Sequence, residues 1–541
     1  MAALHWMIHL PAMLFMAGNA EGFESLSLIE RGMLPLMGSL VLIVVFLLFN
    51  KSSRHVGVAY VIERLNSHQG HLPLVNAFVQ FISVAICLVS GMSIGKEGPA
   101  VHIGATFGSQ LGSRLRFPHA SIETLVACGI AGAISAAFQT PLAGVLFAME
   151  VILLEYHLNF VLPVILSSVV AFLLSQMFLG ELALLNLLEI AIPEFAWPAF
   201  MACFVLAVLI VGLSGAFLHI QKACWSIHQI HFAWRFLAVG IITASLGMLV
   251  PEVLGAGYDS ISKLMLGEAL VTPLLIVLLL KVLLTSTSIG LGIPGGMIGP
   301  TFVIGGLAGI QVAFWLDTGL PTSIEVPLFA LLGMGAMMAA SFQAPLTALI
   351  AIIEMTHSSA IMLPAMLVIG LACLTVKVLL RQDSVFIERL HYTGVTANSS
   401  SVMRLLQRNT IERVATPLVV LPKYATFGQI QDLHSSMVDY VVVESGDGYG
   451  LIRRNKLVTV LQLLDLGPQM WLKEHDTSIH IDLTAALDIV PVQSMDAPAS
   501  LDAMVDWFRG NSVAQVVIRL PNVAIPRLVQ RSSLDGVLQI G

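Results

Sequence analysis

A glycine- and proline-rich motif occurs twice in this chain, about two hundred residues apart, and each copy interrupts a hydrophobic stretch. The first copy is Gly95-Lys96-Glu97-Gly98-Pro99, and the second is Gly295-Gly296-Met297-Ile298-Gly299-Pro300. The two Gly-Pro pairs lie 201 positions apart. Matched breaks of this kind in two halves of an apolar chain indicate inverted repeats, with a binding site where the broken helices meet.

A second repeated element follows each motif. Phe138-Gln139-Thr140-Pro141-Leu142 corresponds to Phe342-Gln343-Ala344-Pro345-Leu346 at an offset of 204 positions. Glu150 and Glu354 end the two segments at the same offset. The repeats therefore extend well beyond the glycine motif.

The composition indicates a polytopic, all-α membrane protein. Hydrophobic residues make up 57% of the chain and charged residues only 11%, and the mean hydropathy is +0.88, which excludes a water-soluble surface. Several apolar stretches are shorter than the ~20 residues needed to cross a bilayer, so we expect broken and re-entrant helices.

The net charge of −7 argues against nucleic acid as a partner. The five cysteines are isolated in apolar runs, which predicts packing roles and no metal site.

The chain changes character after residue 390. We predict a transmembrane domain over 1–390, with repeats at about 30–180 and 195–380, a linker over 391–412, and a soluble α/β domain over 413–541. Strand-like runs at Tyr440–Val443 and Val516–Ile518 support the soluble domain. That domain also looks doubled, at about 413–465 and 488–541, and resembles a degenerate tandem pair of cystathionine-beta-synthase (CBS) modules.

Helices that begin at membrane depth can bind anions. The first N–H groups of a helix have no partner within it and carry the positive end of the helix dipole. Pro99 and Pro300 stand where a helix start tolerates proline, and glycine lets the backbone approach a ligand. The alternative is that glycine and proline only kink packed membrane helices. The repeat symmetry favours an anion site formed by two converging helix starts.

These motifs resemble those of the CLC family of chloride channels and chloride/proton exchangers over about residues 30–390. The resemblance implies a homodimer with one anion pore per subunit, built from inverted repeats. It implies that Glu97 is the gate, because its ionised carboxylate would occupy the outer anion position and leave when protonated or displaced. The alternative for Glu97 is a structural pair with Lys96.

The same resemblance implies the anion-binding positions. These are mainly backbone amides at Gly98, Pro99, Ala100, Val101, Met297 and Ile298. Proline after Gly98 favours chloride over fluoride, because fluoride-exporting relatives carry threonine there. No cofactor and no metal are expected.

Three departures from the family pattern bear on mechanism. Val56 and Phe386 stand where the family carries a serine and a tyrosine, so the central site loses two hydroxyls and should bind anions more weakly. The alternative candidate for the tyrosine is the nearby Tyr392. Val151 follows Glu150 where exchangers carry a second, proton-accepting glutamate. Glu155 and His157 could offer a substitute proton path beside Glu150.

Three functions remain open from the sequence. A passive chloride channel gated by Glu97 is favoured by Val56, Val151 and Phe386. The alternatives are a coupled chloride/proton exchanger and a non-conducting membrane sensor or scaffold that signals through the CBS-like domain. No motif of an enzyme is present.

The C-terminal domain is predicted to be cytoplasmic and to stabilise a dimer or link to gating. Lys456 and Ser533 stand where a ribose-binding aspartate is expected in CBS modules, so adenine nucleotide binding is not predicted. The expected location is a plasma membrane or a bacterial inner membrane.

Overall fold

The computed structural model divides the chain into two compact units, 1–397 and 398–541. The first unit is described over 22–68, 70–154, 158–180, 197–268, 270, 272–317 and 326–395. The second is described over 415–434, 439–445, 448–457, 459, 472–475, 478–487 and 489–496, with shorter stretches from 504 to 531.

The described part of the first unit consists mainly of helices joined by loops. Its helices are α1 Leu28–Leu48, α2 Val58–Ser67, α3 Leu74–Val89, α4 Glu97–Arg114, α5 His119–Phe138, α6 Pro141–Phe147, α7 Leu158–Leu179, α8 Trp197–Ser226, α9 Phe232–Leu249, α10 Tyr258–Met265, α11 Leu274–Gly290, α12 Ile298–Asp317, α13 Val326–Phe342, α14 Pro345–Thr356, α15 Met362–Val378 and α16 Val385–Tyr392. A π-helix, Ala148–Leu153, continues α6. A helix begins within each glycine motif, α4 at Glu97 and α12 at Ile298.

The helices differ in length as the sequence predicts. Among the described residues, seven helices are long and apolar enough to cross a membrane: α1, α5, α7, α8, α9, α12 and α15. Helices α3, α6, α11, α13 and α14 are apolar but shorter. The expectation of half-length helices is therefore confirmed.

The two repeats pack their helices in the same way. Helix α4 crosses α5 so closely that a Cβ on Gly129 would lie 2.1 Å from the carbonyl oxygen of Gly104. Helix α12 crosses α13 likewise, and a Cβ on Gly333 would lie 2.0 Å from the carbonyl oxygen of Gly305. Because small residues allow such backbone approach between membrane helices, the repeated glycines define two equivalent helix crossings.

The repeats also meet directly at the two glycine motifs. The N–H of Gly95 donates to the Gly296 carbonyl at 2.7 Å, and the N–H of Gly296 donates to the Gly95 carbonyl at 2.8 Å. These residues are 201 positions apart and thus occupy the same place in each repeat. A reciprocal pair of hydrogen bonds between equivalent residues is expected where a two-fold axis relates the two repeats.

The second broken helix lies deep inside the protein. In the apolar segment of α12, 89% of the residues are buried. Helix α13 is buried from Leu328 to Phe342. Non-helical backbone at membrane depth is tolerated where protein surrounds it. The helix starts at the motifs are therefore enclosed by protein.

The second unit contains strands and short helices. Its elements are β1 Thr416–Pro417, β2 Val419–Pro422, β3 Tyr424–Thr426, α17 Phe427–His434, β4 Tyr440–Ser445, β5 Gly448–Arg453, β6 Leu472–His475, β7 Ser478–Asp482, α18 Leu483–Ala486, β8 Val490–Val492, β9 Ser494–Asp496, β10 Gln515–Arg519 and β11 Arg527–Gln530. They form sheets of order β1-β11-β10-β9, β2-β4-β5-β8 and β3-β7-β6. The predicted strands at Tyr440–Val443 and Val516–Ile518 are confirmed as parts of β4 and β10.

Candidate functional site

Glu97 is the first residue of α4 and is 1% exposed. Its Oε1 accepts a hydrogen bond from the Tyr258 hydroxyl at 3.1 Å. Its Oε2 accepts one from the Gly299 N–H, in the first turn of α12, at 3.2 Å. Both donors come from the second repeat, so the carboxylate spans the repeat interface at the start of two helices.

Glycines leave the room that this carboxylate occupies. A Cβ on Gly95 would lie 2.3 Å from Glu97 Oε2, and a Cβ on Gly299 would lie 2.6 Å from it. Both distances are far below a van der Waals contact. The motif glycines therefore allow the side chain of Glu97 to lie against the backbone of both repeats.

Lys96 does not supply the partner of Glu97 in the described structure. Among the described residues no ion pair joins the two side chains. The observed partners of Glu97 are Tyr258 and Gly299, and neither of them was predicted from the sequence. They lie 161 and 202 positions from Glu97, so only the repeat offset could have pointed to Gly299.

The predicted anion-binding amides divide into two groups. The N–H groups of Gly98, Met297 and Ile298 donate to no acceptor in the described part of the chain. Pro99 has no N–H, and the Ala100 N–H donates to the Lys96 carbonyl at 3.0 Å. Pro99 and Ala100 therefore offer no free amide donor in this conformation.

Val101 is the fifth residue of α4. At this position α-helical geometry directs the N–H to the carbonyl four residues earlier, which is that of Glu97. The free donors thus come from the very start of each broken helix, as expected for unpaired helix N-termini.

The start of α2 lies beside the start of α4. A Cβ on Gly98 would lie 3.7 Å from Val58 Cγ2. Gly57 precedes α2 with φ of +96°, and its N–H donates to Nδ1 of the buried His102 at 3.4 Å. Val56 is half-buried and packs against an apolar cluster, so this loop carries a hydrocarbon side chain at the position where the resemblance implied a hydroxyl.

Phe386 lies in the first turn of α16 and is 2% exposed. Its ring stacks on Phe342, with 5.1 Å between the ring centroids and 17° between the planes. Tyr392, at the other end of α16, donates its hydroxyl to the Trp225 carbonyl at 2.9 Å. Helix α16 packs against α2 and α13, so its start adds an aromatic wall near these helices.

Glu150 and Glu354 cap helix starts of the opposite repeat. Glu354 accepts the N–H groups of Leu142 and Ala143, both at 2.8 Å. Glu150 accepts the N–H groups of Leu346 at 3.2 Å and Thr347 at 2.8 Å. Acidic groups at helix N-termini stabilise the helix, so each glutamate stabilises the counterpart of its own helix.

The described residue that follows Glu150 has no group that could carry a proton. Val151 is 2% exposed and has a hydrocarbon side chain. Glu155 and His157 lie outside the described residues. The Thr347 hydroxyl donates to Glu150 Oε2 at 2.7 Å, so this carboxylate oxygen has two donors.

A family profile described as "Voltage gated chloride channel" matches residues 38–377. The chain belongs to the CLC family. Its membrane unit has the CLC fold that the sequence motifs predicted, and the chain is an integral membrane anion-transport protein rather than an enzyme.

Curated relatives of this CLC protein carry two kinds of description. A protein of Ralstonia nicotianae described as a ClcB-like chloride channel protein is 32% identical over 59% of this chain and 75% of its own length. The H(+)/Cl(−) exchange transporter ClcA of Vibrio parahaemolyticus is 31% identical over 58% of this chain and 69% of its own length.

Solved structures show the same fold. A eukaryotic CLC transporter matches with a TM-score of 0.61 at 17% identity, covering 98% of this chain and 94% of that one. A slow cyanobacterial Cl−/H+ antiporter also matches with a TM-score of 0.61, at 20% identity, covering 72% of this chain and 93% of that one.

Proposed function

We propose that this CLC protein exchanges chloride, or a similar small monovalent anion, for protons, with Glu97 as the gate. The observation that carries the role of Glu97 as the gate is the hydrogen bond from the Gly299 N–H to Glu97 Oε2. A carboxylate that takes an amide at the start of a broken helix competes with any anion for the same donor. Protonation of Glu97 would remove its negative charge and release that amide to the anion.

The relatives support exchange over the passive channel that the sequence departures alone favoured. Several relatives at 30–32% identity are named H(+)/Cl(−) exchange transporters. Intact Glu97, free amides at both helix starts and the enclosed site fit either mechanism. The names of the relatives therefore decide which of the two we propose.

A passive chloride channel is the second candidate, and Val151 is the observation that favours it. This buried position has no group that can carry a proton, and both oxygens of the adjacent Glu150 accept helix N–H groups. Exchange would therefore require a proton route through other residues or water.

The deciding experiment measures coupling in liposomes. Purified protein is reconstituted under opposed chloride and pH gradients, and the reversal potential is recorded together with proton uptake. We expect the potential to shift with the pH gradient. A potential that follows chloride alone would support the channel, and absence of any anion flux would favour the sensor or scaffold.

The role of Glu97 is tested separately with Glu97→Gln. This change keeps the size of the side chain and removes its charge, so we expect anion flux without coupled proton uptake. Glu30→Gln, at an exposed position near the start of α1, is the matched control. Unchanged coupling in Glu97→Gln would refute the gate.

We also propose a homodimer and a cytoplasmic, tandem CBS-like C-terminal unit over 413–541. The sheets of that unit and the match of nearly the whole chain to a eukaryotic CLC transporter support the second proposal. Lys456 is exposed, and Ser533 lies outside the described residues. Cross-linking tests the dimer, and calorimetry with ATP tests the expectation that no adenine nucleotide binds.

A further inference from the structure

Tyr258 is the one side chain among the described residues that donates a hydrogen bond to Glu97. It is the first residue of α10, in the second repeat. Its hydroxyl is 3.1 Å from Oε1 while the Gly299 N–H holds Oε2. The carboxylate is thus held at both oxygens, by a backbone donor from one helix start and a side-chain donor from another.

Tyr258, Glu97 and Gly299 lie so close together that Gly299 has no room for a side chain. A Cβ on Gly299 would lie 2.8 Å from the Tyr258 hydroxyl oxygen as well as 2.6 Å from Glu97 Oε2. The hydroxyl therefore lies directly beside the backbone amide that the carboxylate occupies. Tyr258 is therefore placed to act on the carboxylate in this position.

A buried lysine holds the loop that precedes Tyr258. Lys281 on α11 is 0% exposed, and its Nζ donates to the carbonyls of Val253 at 2.9 Å and Gly255 at 2.7 Å. Gly257, in the left-handed region with φ of +92°, passes so close that a Cβ would lie 3.0 Å from Nζ. The ammonium group thus fixes the backbone just before Tyr258.

We propose that Tyr258 is a latch for the gate: its hydroxyl stabilises the ionised Glu97 carboxylate in the position where it excludes the anion, and so sets the apparent anion affinity. This inference rests on the proposed role of Glu97. Tyr258 acts through Glu97 and is therefore a positioning residue. Hydrogen bonds to charged groups are stronger than those between neutral groups. Losing this bond therefore makes the Glu97 carboxylate a weaker competitor of the anion.

The test measures chloride binding at equilibrium by calorimetry on the purified full-length protein. Tyr258→Phe keeps the ring and removes only the hydroxyl. We expect it to raise chloride affinity roughly tenfold, the scale of one hydrogen bond to a charged group. Tyr392→Phe removes a tyrosine hydroxyl that donates to the Trp225 carbonyl, and this matched control should leave the affinity unchanged.

A double-mutant cycle separates the latch from a general structural effect. In a Glu97→Ala background the hydroxyl has no carboxylate to hold, so adding Tyr258→Phe should change chloride affinity no further. An equal gain in both backgrounds, or no gain in the wild-type background, would overturn the latch. If Glu97→Ala itself leaves chloride affinity unchanged, the gate assignment fails instead.

Discussion

Replacing Glu354 or Glu150 tests whether these carboxylates are structural caps or part of a proton path. Each carboxylate accepts two backbone N–H groups at a helix start of the opposite repeat. Loss of an N-cap costs about 1 kcal/mol when water can take its place. Hydrogen bonds to charged groups contribute about 1.5–3 kcal/mol each when they are buried.

Glu354 and Glu150 are half-buried, so the expected cost lies between these limits. We expect Glu354→Ala to lower the free energy of unfolding by about 2 kcal/mol, because two N–H groups lose their acceptor and water reaches them only in part. Glu354→Gln keeps one acceptor oxygen and should cost about half as much. Glu150→Ala should behave like Glu354→Ala, since the two caps are related by the repeat.

The assay is reversible unfolding in mixed detergent micelles, combined with proton and chloride fluxes in liposomes. Glu150→Gln should keep proton coupling, because in this interpretation the carboxylate caps a helix and transfers no proton. Glu354→Gln is the matched control, with the same cap in the other repeat. Two outcomes would refute the reasoning: Glu354→Ala of normal stability, or a stable Glu150→Gln that has lost proton flux.

Three further changes test the site and the fold. Gly299→Ala would place a Cβ 2.6 Å from Glu97 Oε2, so the carboxylate must move, and we expect proton uptake per transported anion to fall roughly tenfold or more, measured in liposomes. Gly305→Ala would place a Cβ 2.2 Å from the Gly333 carbonyl oxygen, and we expect unfolding in micelles to show a loss of about 1–3 kcal/mol. Phe386→Tyr adds a hydroxyl to a ring in the first turn of α16, and calorimetry should show chloride bound up to roughly tenfold more tightly.

The glycine controls are residues on α8 and α15 with open space around them. A Cβ on Gly212 or Gly370 would meet nothing within 4 Å, so alanine there should be neutral or stabilise its helix by up to ~1 kcal/mol. Gly299→Ala with normal coupling, or Gly305→Ala as stable as the wild type, would contradict the close contacts. Unchanged chloride affinity in Phe386→Tyr would show that this position does not face the anion.

Much of the architecture could be predicted from the sequence because it depends on local properties of the chain. Hydropathy distinguished the membrane unit, and runs shorter than a bilayer predicted half-length helices. The offset between Gly98-Pro99 and Gly299-Pro300 located both broken helices. Each of these features depends on residue type and spacing alone.

The individual contacts at the site could be predicted only in part. The symmetric caps could have been inferred, because Glu150 and Glu354 lie 204 positions apart and the helix starts that they cap have the same spacing. Tyr258 gave no such signal, since no sequence motif marks it and it lies 161 positions from Glu97. The hydrogen bond from the Ala100 N–H to the Lys96 carbonyl was likewise not indicated, because an anion-facing position and a helical hydrogen bond look the same in sequence.

The sequence by itself determined the class, the repeats and the residues at which two helices begin inside the protein. Only the tertiary structure decided which donors meet the Glu97 carboxylate and which helix each glutamate caps. The physical reason is that these contacts join the two repeats. Helix crossings bring their residues together across some two hundred positions, and no local pattern in the chain encodes that geometry.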